Sequence, residues 1–373
     1  MALHSVEIHN FKSIKASGPI QLGPMNVLIG ANGSGKSNFI SFFKLLKKIH
    51  EGNLQFHVAR HGRADAFLHF GAKNSDFLSG EIIAGNQKEQ YQFQLVKDET
   101  INLFFSVDNY LTRDNLNDKW SAIKVNNPNG HRTFESYIAR SNGISENGNQ
   151  DKVPTAFDFA IHHFEDTSFN ANIKKPPNTI DYAYLYEDGG NLAAFLYMLS
   201  RSHKTNFKLI ERVVRSIAPF FDRFYLEPDE INPNQIFLRW FEKGHGSMWN
   251  PHTFSDGTLR FIGLTTLLLQ PNPPGTIIID EPELGLHPFA INKLTAILQS
   301  TSTKTQIIIA TQSVNLVSQF SANDIIVVER KGNGNQEFFQ TTFKRQSEIE
   351  LEDWLKDYSI GELWEKNVIG GRL

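Results

Sequence analysis

The sequence predicts an α/β fold: a mainly parallel sheet core with helices packed on it, an antiparallel N-terminal subdomain and a compact helical insertion without a coiled-coil arm. Three observations carry this expectation. The short, mostly apolar strand Met25–Ile29 enters a Gly-rich turn, residues 30–35, and then an amphipathic stretch. From residue 254 to 330, helix and strand patterns alternate, the order that builds a parallel sheet with crossover helices. Residues 80–107 instead alternate apolar and polar positions, as Tyr91, Phe93 and Leu95 do, and suggest a meander of strands.

Taken in order, Leu3, Val6 and Ile8 mark a first strand over residues 3–9 and Met25–Ile29 a second. After the turn, Phe39, Phe42, Phe43, Leu46 and Ile49 recur at three- and four-residue spacing and define one face of a helix. Residues 109–151 are rich in Asn, Gly, Asp and Ser and read as exposed loops. Two helices come next, around residues 192–199 and 207–217, the second ended by Pro219. Residues 235–241 read as a strand. Then come a helix after residue 254, a strand at 276–279, a helix at 291–298, a strand at 306–310, a further helix, and a strand at 324–328. Four segments are expected: 1–108, the first part of the core; 109–225, the loop-rich and helical insertion; 226–345, the second part of the core; and 346–373, a tail.

Composition narrows the function. The chain has 373 residues, 40% of them hydrophobic and 21% charged, which excludes wholesale disorder. It has no cysteine, so disulfide stapling, thiolate nucleophiles and cysteine-held metals are excluded. The 37 basic and 40 acidic residues leave a net charge of −3, unlike a generically basic nucleic-acid coat. The N-terminal stretch lacks a signal peptide's continuous apolar run, and no apolar segment approaches the roughly 20 residues of a spanning helix. A cytoplasmic protein without a membrane partner is expected. The histidines, His162, His163, His245 and His287 among them, show no metal-binding spacing. Phe220, Phe221 and Phe224 read as core packing rather than a base-stacking platform.

The chemistry concentrates in two places. Gly30-Ala31-Asn32-Gly33-Ser34-Gly35-Lys36-Ser37 fits G-x-x-x-x-G-K-[ST] between a strand and a helix. Glycines let the backbone curl so that successive N–H groups face phosphate oxygens, and the helix start adds its positive dipole end. Lys36 is expected on the β- and γ-phosphates and the Ser37 hydroxyl on Mg²⁺. The second place is Thr276–Asp280 with Glu281 after it, an apolar strand ending in two carboxylates at the rim where parallel sheets bind ligands. Asp280 suits Mg²⁺ held through its water shell, and Glu281 suits the residue that orients or deprotonates a water. Between them, Phe254-Ser255-Asp256-Gly257-Thr258-Leu259-Arg260 opens an apolar helix. Taken alone, it reads as an ordinary N-cap.

These motifs, in this order, resemble the RecF/SMC/OLD branch of the ABC ATPase superfamily. The residues that carry the resemblance are the opening "IHNFKSIK…LGPMNVLIGANGSGKSNFI", then "SDGTLR", "IIIDEPELGLHP" and "IIIATQS". Together they span roughly residues 1–85 and 220–330, with the closest likeness to bacterial stand-alone AAA-family ATPases of RecF-like fold. The resemblance implies that Asn32, Gly33, Ser34, Gly35, Lys36, Ser37 and Asn38 bind ATP and that Ser37 and Asp280 serve Mg²⁺. It implies that Lys12 lies near the nucleotide, that Glu281 and Lys36 are catalytic, and that Ser255 and Gly257 face the nucleotide of a second copy. Residues 283–287 would form the loop that touches that copy. Three departures stand out: Gln312 occupies the switch position where most ABC ATPases carry His, Asp256 replaces the first glycine of Ser-Gly-Gly, and no clear Q-loop glutamine appears near His69 and Asn74. Gln312 can hydrogen-bond but cannot titrate near neutral pH, so slow hydrolysis is expected.

The stretch from Lys36 to Ser255, which SMC-type proteins fill with a coiled coil, shows no sustained heptads here. The stretch after residue 330 is too short for the nuclease domain of OLD proteins, so a nuclease or other effector would be a separate chain. Residues 163–168 and 361–364 also look like the stand-alone subgroup. Two functional readings stay open. One is an ATPase that dimerises head to tail on ATP, serving DNA maintenance or anti-phage defence, with DNA as a candidate partner. The other is an ATP-gated scaffold for a partner effector, with little turnover. For DNA, Arg201, His203, Lys204, Lys208, Arg212 and Arg215 are the candidate contacts, against the more ordinary reading of a solvated helix face.

Overall fold

The computed structural model describes residues 2–100, 102–124, 133–136, 138, 154–244, 246–332 and 339–371. Most of the Asn-rich stretch beyond residue 124 and His245 lie outside the described residues. The chain forms two compact units, one of residues 1–159 and 320–373 and the other of residues 160–319.

The first unit opens with strands β1 (Leu3–Phe11), β2 (Ile14–Ala16), β3 (Ile20–Gln21) and β4 (Met25–Ile29). Helices α1 (Lys36–His50), α2 (Leu54–Arg60) and α3 (Arg63–Phe67) come next, then β5 (Phe77–Ala84), β6 (Glu89–Lys97), β7 (Leu103–Thr112) and β8 (Ser121–Lys124). The second unit carries all but the first residue of β9 (Phe159–His162), then α4 (Leu192–Ser202), α5 (Lys204–Ile217), β10 (Phe221–Tyr225), β11 (Arg239–Glu242) and β12 (Met248–Trp249). It continues with α6 (Asp256–Leu268), β13 (Thr276–Asp280), α7 (Pro288–Ser302), β14 (Gln306–Thr311) and α8 (Val314–Val317). The chain then returns to the first unit as β15 (Ile325–Gly332), β16 (Phe339–Arg345), α9 (Glu348–Leu355) and α10 (Ile360–Glu365).

Burial explains the two kinds of strand. In β4 and β14 every residue is buried, and in β13 all but the last are. Such continuously buried, mostly apolar strands belong to parallel pairs covered on both faces. β15 accordingly pairs parallel with β4, and β13 with β14. β5 instead alternates half-buried and buried residues along its length. It sits in the antiparallel sheet of order β2-β1-β5-β6-β7-β8, with β3 also on β1, and presents one face to α1. That face is aromatic. Phe42 of α1 meets Phe11 edge-on at 5.7 Å and stacks on Phe93 at 5.9 Å. Gly80 of β5 makes the approach possible, since a Cβ there would fall 2.6 Å from Phe93 and closer still to Phe42. The α1 positions singled out by helical spacing, Phe39, Phe42, Phe43, Leu46 and Ile49, are all buried.

In the second unit, β10, β11 and β12 make a small antiparallel sheet whose aromatic cluster joins Phe221, Phe224, Trp240 and Phe254. Phe221 and Phe224 are thus packing, as their sequence suggested, whereas Phe220 is exposed beside Trp240. The longest helices among the described residues, α1 and α7, have 15 residues each, so no coiled-coil arm is present among them. No described helix is long and apolar enough to cross a membrane.

Candidate functional site

The phosphate loop joins β4 to α1 within the first unit. Gly33 (φ 77°) and Gly35 (φ 118°) hold left-handed backbone that other residues rarely adopt. Gly35 caps α1 and brings no side-chain acceptor, so the helix start keeps its donors for an outside anion. A Cβ at Gly33 would meet nothing within 4 Å, which leaves the mouth of the turn open. Lys36 is only 5% exposed and curls back, its Nζ donating to the carbonyls of Gly30 (2.7 Å) and Ala31 (3.1 Å). The Ser34 hydroxyl is buried with no partner. A buried lysine, an orphaned hydroxyl and two left-handed glycines fit a phosphate chain. Asn32 and Ser37 are exposed beside them.

The far side of the loop is braced by Thr341 and Ser13, which sequence reasoning missed. Thr341 of β16 donates from Oγ1 to the Ser34 carbonyl at 2.8 Å and shares a 2.7 Å bond with the Ser13 hydroxyl. Asn38 completes the chain by donating Nδ2 to Ser13 at 2.7 Å. Gly35 has no room for a Cβ because the Thr341 methyl and hydroxyl occupy that space. Thr341 carries no sequence signal: it belongs to a strand far along the chain with no motif of its own.

Lys12 sits in the tight β1–β2 turn, left-handed at φ 50°. Burial lowers its pKa below the usual lysine value, and the nearby Lys44 lowers it further. His69 is buried, with its Nδ1 2.8 Å from the Lys12 carbonyl, and Asn74 closes its own turn by donating to Phe70. Neither side chain is held toward the phosphate loop by a hydrogen bond to it.

In the second unit, β13 delivers Asp280 at its last position, and Glu281 turns the corner at φ 44°. A β-unbranched, non-Gly residue in this region carries strain of order 1 kcal/mol or more. The Glu281 N–H donates to the Ala310 carbonyl at 2.9 Å, extending the parallel ladder by one step and fixing the corner. Gln312 donates Nε2 to Glu281 Oε1 at 2.6 Å. Gln312 and Glu281 are therefore already paired. Glu283 lies behind them. Thr311 donates to its Oε1 at 2.5 Å and the Gln312 N–H at 3.3 Å, while its Oε2 is buried without a partner. Burial raises the pKa of the Glu283 carboxyl, opposed by the Thr311 bond. Ser37 and Asp280 offer hard oxygen donors of the kind Mg²⁺ prefers. Among the described residues there is no cluster of three or more His, Cys, Asp or Glu side chains able to hold a metal ion.

The turn before α6 is built for close approach. Ser255 caps the helix, accepting from the Thr258 N–H at 3.3 Å. Gly257 lies against the Gly285 carbonyl so closely that any Cβ would collide with it. Asp256, the departure from Ser-Gly-Gly, sits in the first turn of α6 and lies 3.7 Å from Lys174. Arg260 binds three carbonyls: Phe164 through Nε (2.9 Å), Glu165 through Nη2 (2.5 Å) and Leu284 through Nη1 (2.8 Å). One guanidinium thus ties α6 to residues 163–168 and to the loop at 283–287. Its planar fork suits this role, which a lysine could not fill. Of the basic residues on α4 and α5, Arg201 pairs with Glu227, and Arg215 donates to the Asp222 carbonyl and pairs with Glu211. Lys204, Lys208 and Arg212 remain exposed on α5.

The profile of the family described as "AAA domain, putative AbiEii toxin, Type IV TA system" matches residues 25–318. No curated protein sequence matches the chain. Among solved structures, an Smc head bound to the C-winged helix domain of ScpA is similar at a TM-score of 0.60 and 16% identity, over 95% of this chain and 100% of that one. An Smc head domain with an extended coiled coil, bound to the C-terminal domain of ScpA derived from Pyrococcus furiosus, is similar at 0.56 and 15%, over 95% and 99%. At these identities the likeness establishes the fold, and the family match extends over most of the chain. With a strand–loop–helix of phosphate-binding form and a parallel strand ending in Asp-Glu, the chain belongs to this AAA-domain family and carries the P-loop α/β fold seen in the Smc heads.

Proposed function

We propose that the chain binds and slowly hydrolyses ATP with Mg²⁺, and that ATP brings two copies together head to tail. The observation that carries this reading is the corner at Glu281. A strained carboxylate beside Asp280, already accepting from Gln312, is arranged to hold an attacking water. The open turn at residues 30–37 is the matching element for the phosphates, with Lys36 released from its own carbonyls to the β- and γ-oxygens. Asn32, Gly33, Ser34, Gly35 and Asn38 would line that turn, and Lys12 would lie beside it. Ser37 and Asp280 would hold Mg²⁺, which supplies positive charge against the phosphate oxygens. Gln312 keeps one protonation state throughout the physiological range, which argues for slow turnover.

The reading of a dimer draws on Ser255, Gly257 and residues 283–287. In ABC ATPases these positions meet the other copy, and here Arg260 and the Gly257–Gly285 contact make them one block. A nucleotide sensed by Ser255 and Gly257 would therefore move residues 283–287 with it. The family's description names a toxin of a toxin–antitoxin system, which supports defence against phage as the setting. DNA maintenance is the neighbouring alternative, with Lys204, Lys208 and Arg212 as the exposed contacts, and the cytoplasm is the compartment that suits either. A second reading, an ATP-gated scaffold for an effector chain, is favoured specifically by Gln312. The solved Smc heads bound to ScpA domains offer a precedent for a partner on this fold.

The test is the mass of Glu281→Gln in solution by light scattering, with and without Mg-ATP. A shift from monomer to dimer only with ATP is expected. No shift, together with no turnover in the wild type, would overturn the proposal. Turnover that rises with DNA and vanishes in Glu281→Gln would count against the scaffold.

A further inference from the structure

The segment around residues 361–371 has no part in the chemistry above, yet it ends on the phosphate loop. α10 is anchored by a capping box between Ser359 and Glu362, and Ile360, Leu363 and Trp364 are buried. Its C-terminus closes on Asn367, left-handed at φ 59°. The Val368 N–H donates to Leu363 and the Asn367 N–H to Trp364, the pairing of a Schellman turn. The chain is thereby turned out of the helix, Ile369 is buried, and Gly370 (φ 80°) and Gly371 (φ 84°) come after it.

Both glycines are required by what they touch. A Cβ on Gly370 would strike the Glu329 carboxylate. One on Gly371 would lie 2.8 Å from Val327, 3.3 Å from Trp364 Nε1 and 3.6 Å from the Gly30 Cα. Between these walls the Gly371 carbonyl accepts the Ala31 N–H at 2.6 Å, and the Gly371 N–H donates to Glu329 Oε1 at 2.5 Å. Ala31 is the second residue of the phosphate loop, and its own carbonyl accepts from Lys36. A continuous polar path therefore runs from Lys36 through Ala31 and Gly371 to Glu329 on β15.

We propose that Gly370 and Gly371, anchored by Glu329, are positioning residues that hold the first half of the phosphate loop in its nucleotide-receptive shape. Three features favour a brace over a plug. The tail uses the Ala31 N–H, which precedes the turn made by Gly33 and Gly35. Asn32 and Gly33 stay exposed on the open side. Thr341 grips the other half of the same loop, so the tail completes a two-sided clamp. Charge adds to the hold: the Gly371 and Lys331 hydrogen bonds keep the Glu329 carboxyl below its usual pKa despite partial burial.

The inference rests on the ATP-binding reading for its consequence but not for its geometry, and the experiment separates the two. Hydrogen exchange of the amides in residues 31–37 is measured without nucleotide, and a fluorescent ATP analogue is titrated, for three variants of the full protein and for one ending at Ile369. In Glu329→Ala and in the shortened chain, exchange is expected to rise about tenfold and ATP to bind about tenfold more weakly, the scale of one charge-assisted hydrogen bond. Gly371→Ala should behave alike. Glu329→Gln, whose amide oxygen still accepts the Gly371 N–H, should restore both to within about threefold of wild type. Exchange unchanged in Glu329→Ala, or tighter ATP binding by the shortened chain, would overturn the brace. Failure of the wild type to bind the analogue would instead overturn the nucleotide reading, with the exchange data still deciding the clamp. Should the shortened chain not fold, Glu329→Ala decides alone.

Discussion

Thr341→Val isolates the strut behind the phosphate loop. Thr341 is fully buried, and its hydroxyl stands in a directional chain: Asn38 donates to Ser13, Ser13 to Thr341, and Thr341 to the Ser34 carbonyl. Valine keeps the volume and both branches but removes the hydroxyl. Two groups then lose a partner, the Ser34 carbonyl as acceptor and the Ser13 hydroxyl as donor. At about 1–3 kcal/mol for each buried group left unsatisfied, the cost is about 2–4 kcal/mol once Ser13 has partly re-paired. Where the loop stays in place, that cost lowers the midpoint of thermal unfolding. Where the loop relaxes to find other donors, it appears as ATP affinity, about 30-fold for 2 kcal/mol. Thermal unfolding and ATP-analogue titration together therefore account for it. Thr341→Ser is the control: it keeps the hydroxyl, gives up one methyl and costs about 1 kcal/mol with affinity retained. If Thr341→Val matches wild type in both assays, the chain of hydrogen bonds does not support the loop and the argument fails.

Two further substitutions probe the second unit. Arg260→Lys keeps the charge but cannot reach the carbonyls of Phe164, Glu165 and Leu284 together. ATP-driven dimerisation of the Glu281→Gln background should weaken at least about tenfold while the monomer still binds the ATP analogue; dimerisation at wild-type strength would show that the three-carbonyl tie is dispensable. Glu283→Gln tests a buried carboxyl whose pKa is raised from 4.5 in the folded protein. A raised acid holds its proton longer when folded, so its contribution is complete below 4.5 and is lost as pH rises through the raised value. Unfolding midpoints between about pH 4 and pH 8 should show the variant gaining on wild type as pH rises. A constant difference would mean that Glu283 is not desolvated.

How much could be read from the sequence depends on how far apart the interacting residues lie along the chain. The phosphate loop is legible because strand, turn and helix are consecutive and each announces itself: a buried strand with four apolar residues of five, glycines where φ turns positive, and then Phe39, Phe42, Phe43, Leu46 and Ile49 at helical spacing. The parallel strands announce themselves in the same way, since burial on both faces forces continuous apolar runs. The antiparallel meander shows in its alternation, as β5 does. What stays hidden is anything that depends on a partner hundreds of positions away. Thr341 meets Ser13 and Ser34, and Gly371 meets Ala31, through pairings that no local pattern encodes. Helices α9 and α10 are short and depend on tertiary burial of a few residues, Leu351, Ile360, Leu363 and Trp364, rather than on an extended apolar stripe.

The departures from the ABC pattern are better understood as parts of local arrangements than as defects. Asp256 stands where Ser-Gly-Gly has its first glycine, at a position that opens onto the α6 start and Lys174, so a side chain there costs nothing and gains the favourable end of the helix dipole. The second glycine, Gly257, has no such freedom, because the Gly285 backbone occupies the place of its Cβ. That asymmetry explains why the sequence keeps one glycine and gives up the other. Gln312 obeys the same logic. A histidine accepting or donating according to pH would make the hold on Glu281 depend on the protonation of the switch residue, whereas an amide donates without titrating. The cost is a switch that cannot carry a proton; the gain is a candidate base held in one orientation before nucleotide arrives. On the proposed ATPase reading, slow turnover and a long-lived closed state would both follow from Gln312.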